Sequence, residues 1–210
     1  KILEGVDYQT YSDLHLKTSL RSFKSENVSD LIQFILDGKI DAAKETFLQL
    51  NEFPIMITRD YAKAKQWLRQ RARGNEKYGI VASSKAKRLR PFGIVLRSGF
   101  KSDVDPPKWF LRFTDDVRSS SSMEIVASEF DVQGLELDYV CVAWDANFRY
   151  DDNLWSYHNF SGNTWKKMKN EQDIKYLKNA YRVLLTRARK GMIIFIPEGD
   201  IRDKSRKSEY

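Results

Sequence analysis

Three features of the sequence predict an α/β domain of three layers around a mainly parallel central sheet. Stretches such as "YGIVAS" (78–83), "DYVCVAW" (138–144) and "MIIFI" (192–196) are unbroken apolar runs, the pattern of strands buried on both faces rather than strands with one wet face. Amphipathic helical stretches alternate with them, the order that lays helices on both sides of a parallel sheet. The chain has 210 residues, 41% hydrophobic and 13% aromatic, which suits a folded domain with a full core and not a disordered segment.

The elements follow in order. "SENVSDLIQFILDG" (25–38) sets Val28, Leu31, Ile32, Ile35 and Leu36 on one helical face, with Ser25 as N-cap and Gly38 as stop. A second helix over 40–50 uses Ile40, Ala43, Phe47 and Leu50. "FPIMIT" (53–58) reads as a short buried strand with Pro54 near its start, where proline is tolerated. A basic helix, 59–73, closed by Gly74, leads to the strand 78–83. Residues 91–116 have weak periodicity and read as irregular, with a short strand at 109–113 in "DPPKWFLRF"; "RSSSS" (118–122) is a surface loop. Strands return at 123–128 and 138–144, an aromatic- and Asn-rich loop spans 145–170, and a helix over 171–189 precedes the strand 192–196.

Charge is concentrated rather than spread. Of a net +7, the segment Arg59–Arg97 holds twelve Lys/Arg against two Asp/Glu, a local excess of +10, while the remainder sums to −3. Such a patch is the footprint of a face that binds a polyanion, nucleic acid being the commonest, though a solvated helix face has the same composition. No apolar run approaches the ~20 residues of a membrane helix, and residues 1–20 lack the apolar core of a signal peptide. Cys141 is the single cysteine, inside an apolar run, and reads as a buried small hydrophobe. These features predict a soluble, cytoplasmic protein with no membrane partner. His15 and His158 lack the neighbours of a zinc site, and no Ser/His/Asp triad is present.

Ligands of open parallel sheets sit at the carboxyl ends of the strands, so residues following strands are the first candidates. "SSKAKRLR" follows one strand. The turn Gln133-Gly134-Leu135-Glu136 and the run "LLTRARKG" near the end add a tight glycine bend, a carboxylate and two arginines. Two-lobed nucleotide hydrolases hold phosphates on one lobe and reach across with arginine from the other, because its planar fork stays charged and binds two oxygens at once.

In the order "LKTSLRS" (16–22), "YGIVASSKAKRLR" (78–90), "IVASEFDVQGLELDYVCV" (125–142) and "NAYRVLLTRARKGMIIFI" (179–196), the chain resembles the second RecA-like domain of a superfamily 1 helicase of the UvrD type. More closely, it resembles the bacterial Schlafen-group-3-like DNA/RNA helicases. The resemblance spans nearly the whole chain and implies a RecA-like domain of the phosphate-loop NTPase type over residues 1–210. It also implies residue roles. Arg21 matches a γ-phosphate-contacting arginine; Gln133, Gly134 and Glu136 match a turn that approaches nucleotide sugar and phosphate, with Gln133 in place of the usual lysine. Ser128 matches a hydroxyl residue facing nucleic acid. Arg187 matches the arginine finger and Arg182 the arginine upstream on the same helix. Ser84, Lys85, Lys87, Arg88 and Arg90 fall where single-stranded nucleic acid crosses the domain, and would hold phosphates without reading sequence. The five tryptophans, Trp67, Trp109, Trp144, Trp155 and Trp165, are candidates for base stacking, Trp109 and Trp155 being the ones expected to be exposed.

On a helix running to residue 189, Arg182 and Arg187 lie about 140° apart at roughly 100° per residue, so a single one, Arg187, is expected to leave the domain for the phosphate, while Ile174, Leu177, Tyr181, Leu184 and Ala188 form the core stripe. No "GxxxxGK[ST]" occurs in the chain, so the phosphates and Mg2+ of ATP are expected on a separate N-terminal lobe. The sequence thus predicts the C-terminal motor lobe of an ATP-dependent helicase or translocase, inactive alone, with that lobe and single-stranded nucleic acid as partners. A non-catalytic nucleic-acid-binding module on the same fold is the alternative; a nucleotide-gated switch in a nuclease-linked defence or repair protein is a weaker third.

Overall fold

A computed structural model describes residues 24–50, 52–96, 104–151, 153–200 and 202–203. Elements run in the order α1 (Lys24–Leu36), α2 (Ile40–Leu48), β1 (Ile55–Thr58), α3 (Tyr61–Arg71), β2 (Tyr78–Ala82), α4 (Pro106–Leu111), β3 (Leu137–Ala143), β4 (Phe148–Asp151), β5 (Leu154–Ser161), β6 (Thr164–Lys167), α5 (Glu171–Leu185) and β7 (Ala188–Phe195). The predicted fold class holds: β1, β7, β3 and β2 lie side by side in that order, and every pairing is parallel.

The apolar runs are explained by the layers. Along β3, Val140 and Val142 face a core that includes Val28, Ile32 and Leu36 of α1 and Leu177, Tyr181 and Leu184 of α5. Cys141 and Ala143 face the opposite core, with Ala64 and Leu68 of α3. Each successive residue is therefore buried, on alternate faces. Burial pushes the Cys141 thiol up to about 12, as befits the inert hydrophobe expected of it. Helix starts follow the usual chemistry: the Asp60 carboxylate accepts from Ala62 and Lys63 N–H, and Asn170 from Gln172 and Asp173 N–H.

Several expectations are corrected. Ser25 lies one residue inside α1 rather than capping it, and on α2 only Ala43 is buried, Ile40 and Phe47 being exposed. β1 is an outer strand with Met56 and Ile57 exposed, not a buried one. The stretch 109–113 is no strand: Asp105 caps α4 and Pro106-Pro107 open it, positions where proline costs no hydrogen bond. Residues 123–128 contribute one parallel bridge, Ala127 to Val81, rather than a strand. The 145–170 "loop" is a three-stranded antiparallel meander, β4-β5-β6, in which Phe148 packs against Trp155 and Tyr157 and, with Trp144, against Tyr181. Its polar residues alternate with aromatics, a pattern that asparagine content obscured.

The last helix also ends early. α5 stops at Leu185, and residues 188–191 belong to β7. The Thr186 hydroxyl folds back on the Arg182 and Val183 carbonyls, and the Arg187 carbonyl accepts from Leu137 N–H to open the ladder with β3. Gly191 is required within the sheet: a Cβ there would sit 2.7 Å from Pro54 Cγ. Sheet pairing has won over helical propensity.

Trp109, expected to be exposed, is fully buried under the β2 edge with its indole N–H on the Ile125 carbonyl. Trp109→Ala should cost about 3–5 kcal/mol in urea unfolding, whereas Leu111→Ala on the outer face of α4, 72% exposed, should change stability by about 0.5 kcal/mol or less.

Candidate functional site

The turn that precedes β3 and the turn that precedes β7 meet at the amino ends of these adjacent strands, Leu137 pairing with Ala188. This differs from the expectation that candidates would follow strands. Gly134 has φ +78°, a conformation that disfavours any side chain, and it leaves Gln133, Gly134 and Leu135 exposed. The Arg187 side chain does not project from the domain. It is 5% exposed, with Nε donating to the Val183 carbonyl at 2.9 Å and Nη1 to the Val132 and Leu135 carbonyls at 3.3 and 3.4 Å. The 140° construction for Arg182 and Arg187 does not apply, because Arg187 and Ala188 lie beyond the end of α5. One cation therefore clamps the "VQGLE" turn to the end of α5.

Around the clamp lie further donors. Arg182 is half-buried in the last turn of α5, bonded through Nη1 to Asn179, with its Nε buried and without a hydrogen-bond partner. Arg189 is exposed and 3.9 Å from Glu136. This donor set of guanidiniums, an exposed amide and bare glycine backbone suits an anion. Among the described residues no group of His, Cys, Asp and Glu could hold a metal ion. Arg21 lies outside the described residues.

The other candidates gather at the opposite, carboxyl ends. Ser84 and Lys85 follow β2, and the bridge at Ala127 brings Ser128 and Glu129 beside them. Glu129, which sequence reasoning passed over, is buried and accepts from both Ser84 N–H (2.8 Å) and Ser84 Oγ (2.6 Å). Ser128 is likewise committed, its N–H and Oγ both donating to Asp131. Lys87 and Arg90 are exposed, and Arg88 is half-buried. Lys87 Nζ donates to the Phe160 carbonyl, and Arg88 Nη2 pairs with Asp203 at 2.7 Å.

A cleft of about 370 Å3 runs between these loops and α5, touching Ser84 and Lys85, Glu129, Gln133, and Asn179. It joins track candidates to the nucleotide-turn candidates. Phe130 and Tyr176 flank it and are 60% and 57% exposed. They are the exposed aromatic rings of this cleft. Trp109 and Trp144 are buried, Trp155 donates its indole N–H to Ile35, and Trp67 and Trp165 lie beneath Arg71 and Arg149. A polar "ASEFD" beside a strand end was the available signal for Glu129 and Phe130.

Burial also sets two titrations. Asp145, just past β3, is pushed up to about 6 by burial, against the pull of the Arg88 and Ala146 amides. His158 on β5 is held down at about 4 by burial and by the Arg149 guanidinium, whose Nε donates to His158 Nδ1 at 3.2 Å.

A four-stranded parallel sheet covered by helices on both faces is a RecA-like α/β domain. No described helix is long and apolar enough to cross a membrane. The profile of the family described as Schlafen group 3, DNA/RNA helicase domain, matches residues 1–198, and the chain belongs to that family. Among curated proteins the sequence finds no match.

The His158 shift fixes a pH dependence. With a folded pKa of about 4 below the unfolded value near 6.5, the neutral ring stabilises the fold above about pH 6.5, and this contribution is lost as pH falls through 4. Urea midpoints of wild type and His158→Gln should therefore converge between those pH values; parallel curves would show that His158 does not titrate as described.

Proposed function

We propose that this domain is the C-terminal motor lobe of an ATP-dependent helicase or translocase acting on single-stranded DNA or RNA. In this reading Arg187 and Arg182 neutralise charge at the γ-phosphate, and Gln133, Gly134 and Glu136 border the nucleotide sugar and phosphate. ATP, when bound on a separate phosphate-loop lobe, supplies the phosphoryl group whose transfer to water drives movement. The chain's own part is to present cations to developing charge, a role suited to arginine because the charge needs no proton bookkeeping. Arg21 belongs to the same proposed set.

The observation that carries the reading is the junction of two turns, held by the Arg187 guanidinium on the Val132 and Leu135 carbonyls 55 and 52 residues away in sequence. The fork that bonds the Val132 and Leu135 carbonyls is also the group suited to bind two oxygens of a phosphate. Family membership supports the same conclusion: its description names a DNA/RNA helicase domain. The exchange from carbonyls to phosphate would couple nucleotide occupancy to the "VQGLE" turn, and through the cleft at Gln133 to Ser84 and Lys85. Ser84, Lys85, Lys87, Arg88, Arg90 and Ser128 form the proposed track for the strand, with Phe130 and Tyr176 as stacking surfaces at the cleft.

Lys85, Lys87, Arg88 and Arg90 changed together to Glu should abolish binding of a fluorescent thymidine homopolymer at low salt. Wild-type affinity should fall linearly in log[salt], by about 0.7 per phosphate neutralised. Equal affinity of the two proteins would remove the track, leaving the domain as a binding module of another face or as a nucleotide-responsive lobe alone.

A further inference from the structure

The charge excess of residues 59–97 does not all lie on the proposed track. Lys85, Lys87, Arg88 and Arg90 follow β2, but Lys63, Lys65, Arg69, Arg71 and Arg73 belong to α3 and the turn after it. Over residues 59–77, flanks included, seven Lys/Arg stand against Asp60 and Glu76. α3 buries Ala64 and Leu68 in the core on the face of the sheet opposite α5. The sheet therefore separates its outer side from the cleft flanked by Phe130 and Tyr176.

Among the described residues, Lys63 alone of those five cations has an ion-pair partner, the helix cap Asp60 at 3.9 Å. Exposed cations elsewhere are matched more closely, Lys108 by Asp105 at 2.7 Å and Arg118 by Asp116 at 2.9 Å. Lys63, Gln66, Arg69 and Gln70 are all exposed, and at roughly 100° per residue they share about 120° of the helix surface. That stripe presents N–H donors and positive charge with no acid among them.

The aromatic rings of α3 are already covered. Lys65 Nζ lies 4.9 Å from the centre of the Tyr61 ring, and the Arg71 guanidinium 5.7 Å from that of Trp67. The same rings pack on Phe195 and Tyr139. Single strands are held by bases stacked on bare aromatics as well as by phosphate contacts. The outer face of α3 offers phosphate contacts alone, which suits a duplex with its bases turned inward.

We propose that this face, from Lys63 to Arg73, is a second nucleic-acid surface that holds the phosphate backbone of a duplex. It adjoins the track: the turn Arg90–Phe92 sets the Phe92 ring edge-on to Tyr61 at the start of α3, with centres 6.4 Å apart. The family description names a DNA/RNA helicase domain, and a duplex is what a helicase opens. The proposal goes beyond the track and does not depend on it, because its residues lie outside the track.

Binding by the whole chain of blunt-ended fluorescent duplexes, one DNA and one RNA, and of a thymidine homopolymer tests this. The comparison is made at about 0.15 M salt, where charges beyond roughly 8 Å are screened. Lys63→Gln, Arg69→Gln and Arg73→Gln together should weaken binding of the duplex that wild type holds more tightly. The loss should be about tenfold, the worth of three exposed ion pairs. For DNA, the slope of log K against log[salt] should fall by about 0.9 per cation removed. Homopolymer affinity should stay within about twofold, since the cleft is remote from these residues. Lys63→Arg, Arg69→Lys and Arg73→Lys together keep the charge and should hold duplex affinity within about twofold. Equal losses for duplex and homopolymer would overturn the surface, because they report general charge attraction. So would unchanged duplex affinity in the charge-removed variant, an equal loss in the charge-keeping one, or a wild type that binds no duplex even at low salt. Failure of the track is read separately, from homopolymer binding by the variant at Lys85, Lys87, Arg88 and Arg90.

Discussion

Everything at the amino edge of the sheet depends on where the Arg187 guanidinium is placed. Its carbonyl opens the ladder between β7 and β3, and its side chain closes the turn that leads into β3. A buried guanidinium is costly unless its donors are met, and here they are met by main-chain carbonyls drawn from the end of α5 and from the "VQGLE" turn. Removing the residue would take this donor from the Leu135 carbonyl and leave the Val132 carbonyl with the Leu135 N–H alone. The same atoms that order the turn are those that the proposed chemistry asks to meet a phosphate, so stability and function draw on one group.

The sheet separates two kinds of site. The residues proposed for the nucleotide lie before β3 and β7, and those proposed for the track lie after β2 and beside Ala127. Between them stand two rigid connections: β3, buried from Val140 to Ala143, and α5, whose Leu177, Tyr181 and Leu184 are buried. The cleft adds a third, because Gln133 reaches its lining together with Ser84 and Lys85. Coupling on the proposed reading needs no long chain of side chains. A turn fixed by Arg187 at one end and bordering the track at the other has two partners to choose between, which is the minimum a switch requires.

Much of this was legible in sequence, for physical reasons. Double-sided burial writes itself as unbroken apolar runs, so β2, β3 and β7 were readable, and the helical period of α1 and α5 placed their buried faces. The family resemblance marked the two turns that meet. What sequence could not carry were outcomes decided by tertiary pairing. The end of α5 was set by β3 receiving the Arg187 carbonyl, not by the leucine-rich helix itself. The meander was hidden because its strands are short and its polar residues look like loop. Trp109 was misread because two prolines suggested exposure when they mark the first turn of α4. Glu129 had no motif to announce it; only the Ala127 bridge brings it to Ser84.

Arg187→Lys in the full-length protein tests the central claim most directly. Lysine keeps the charge but loses the fork that holds two carbonyls and would hold two phosphate oxygens. With folding verified by thermal unfolding, the account predicts that strand-stimulated ATP turnover falls by at least about a hundredfold, in line with the worth of arginine fingers. Nucleotide-free single-strand affinity should stay within about twofold, because the track lies at the other end of the sheet. Undiminished turnover in a folded Arg187→Lys protein would contradict the account, and would leave Arg187 a purely structural clamp.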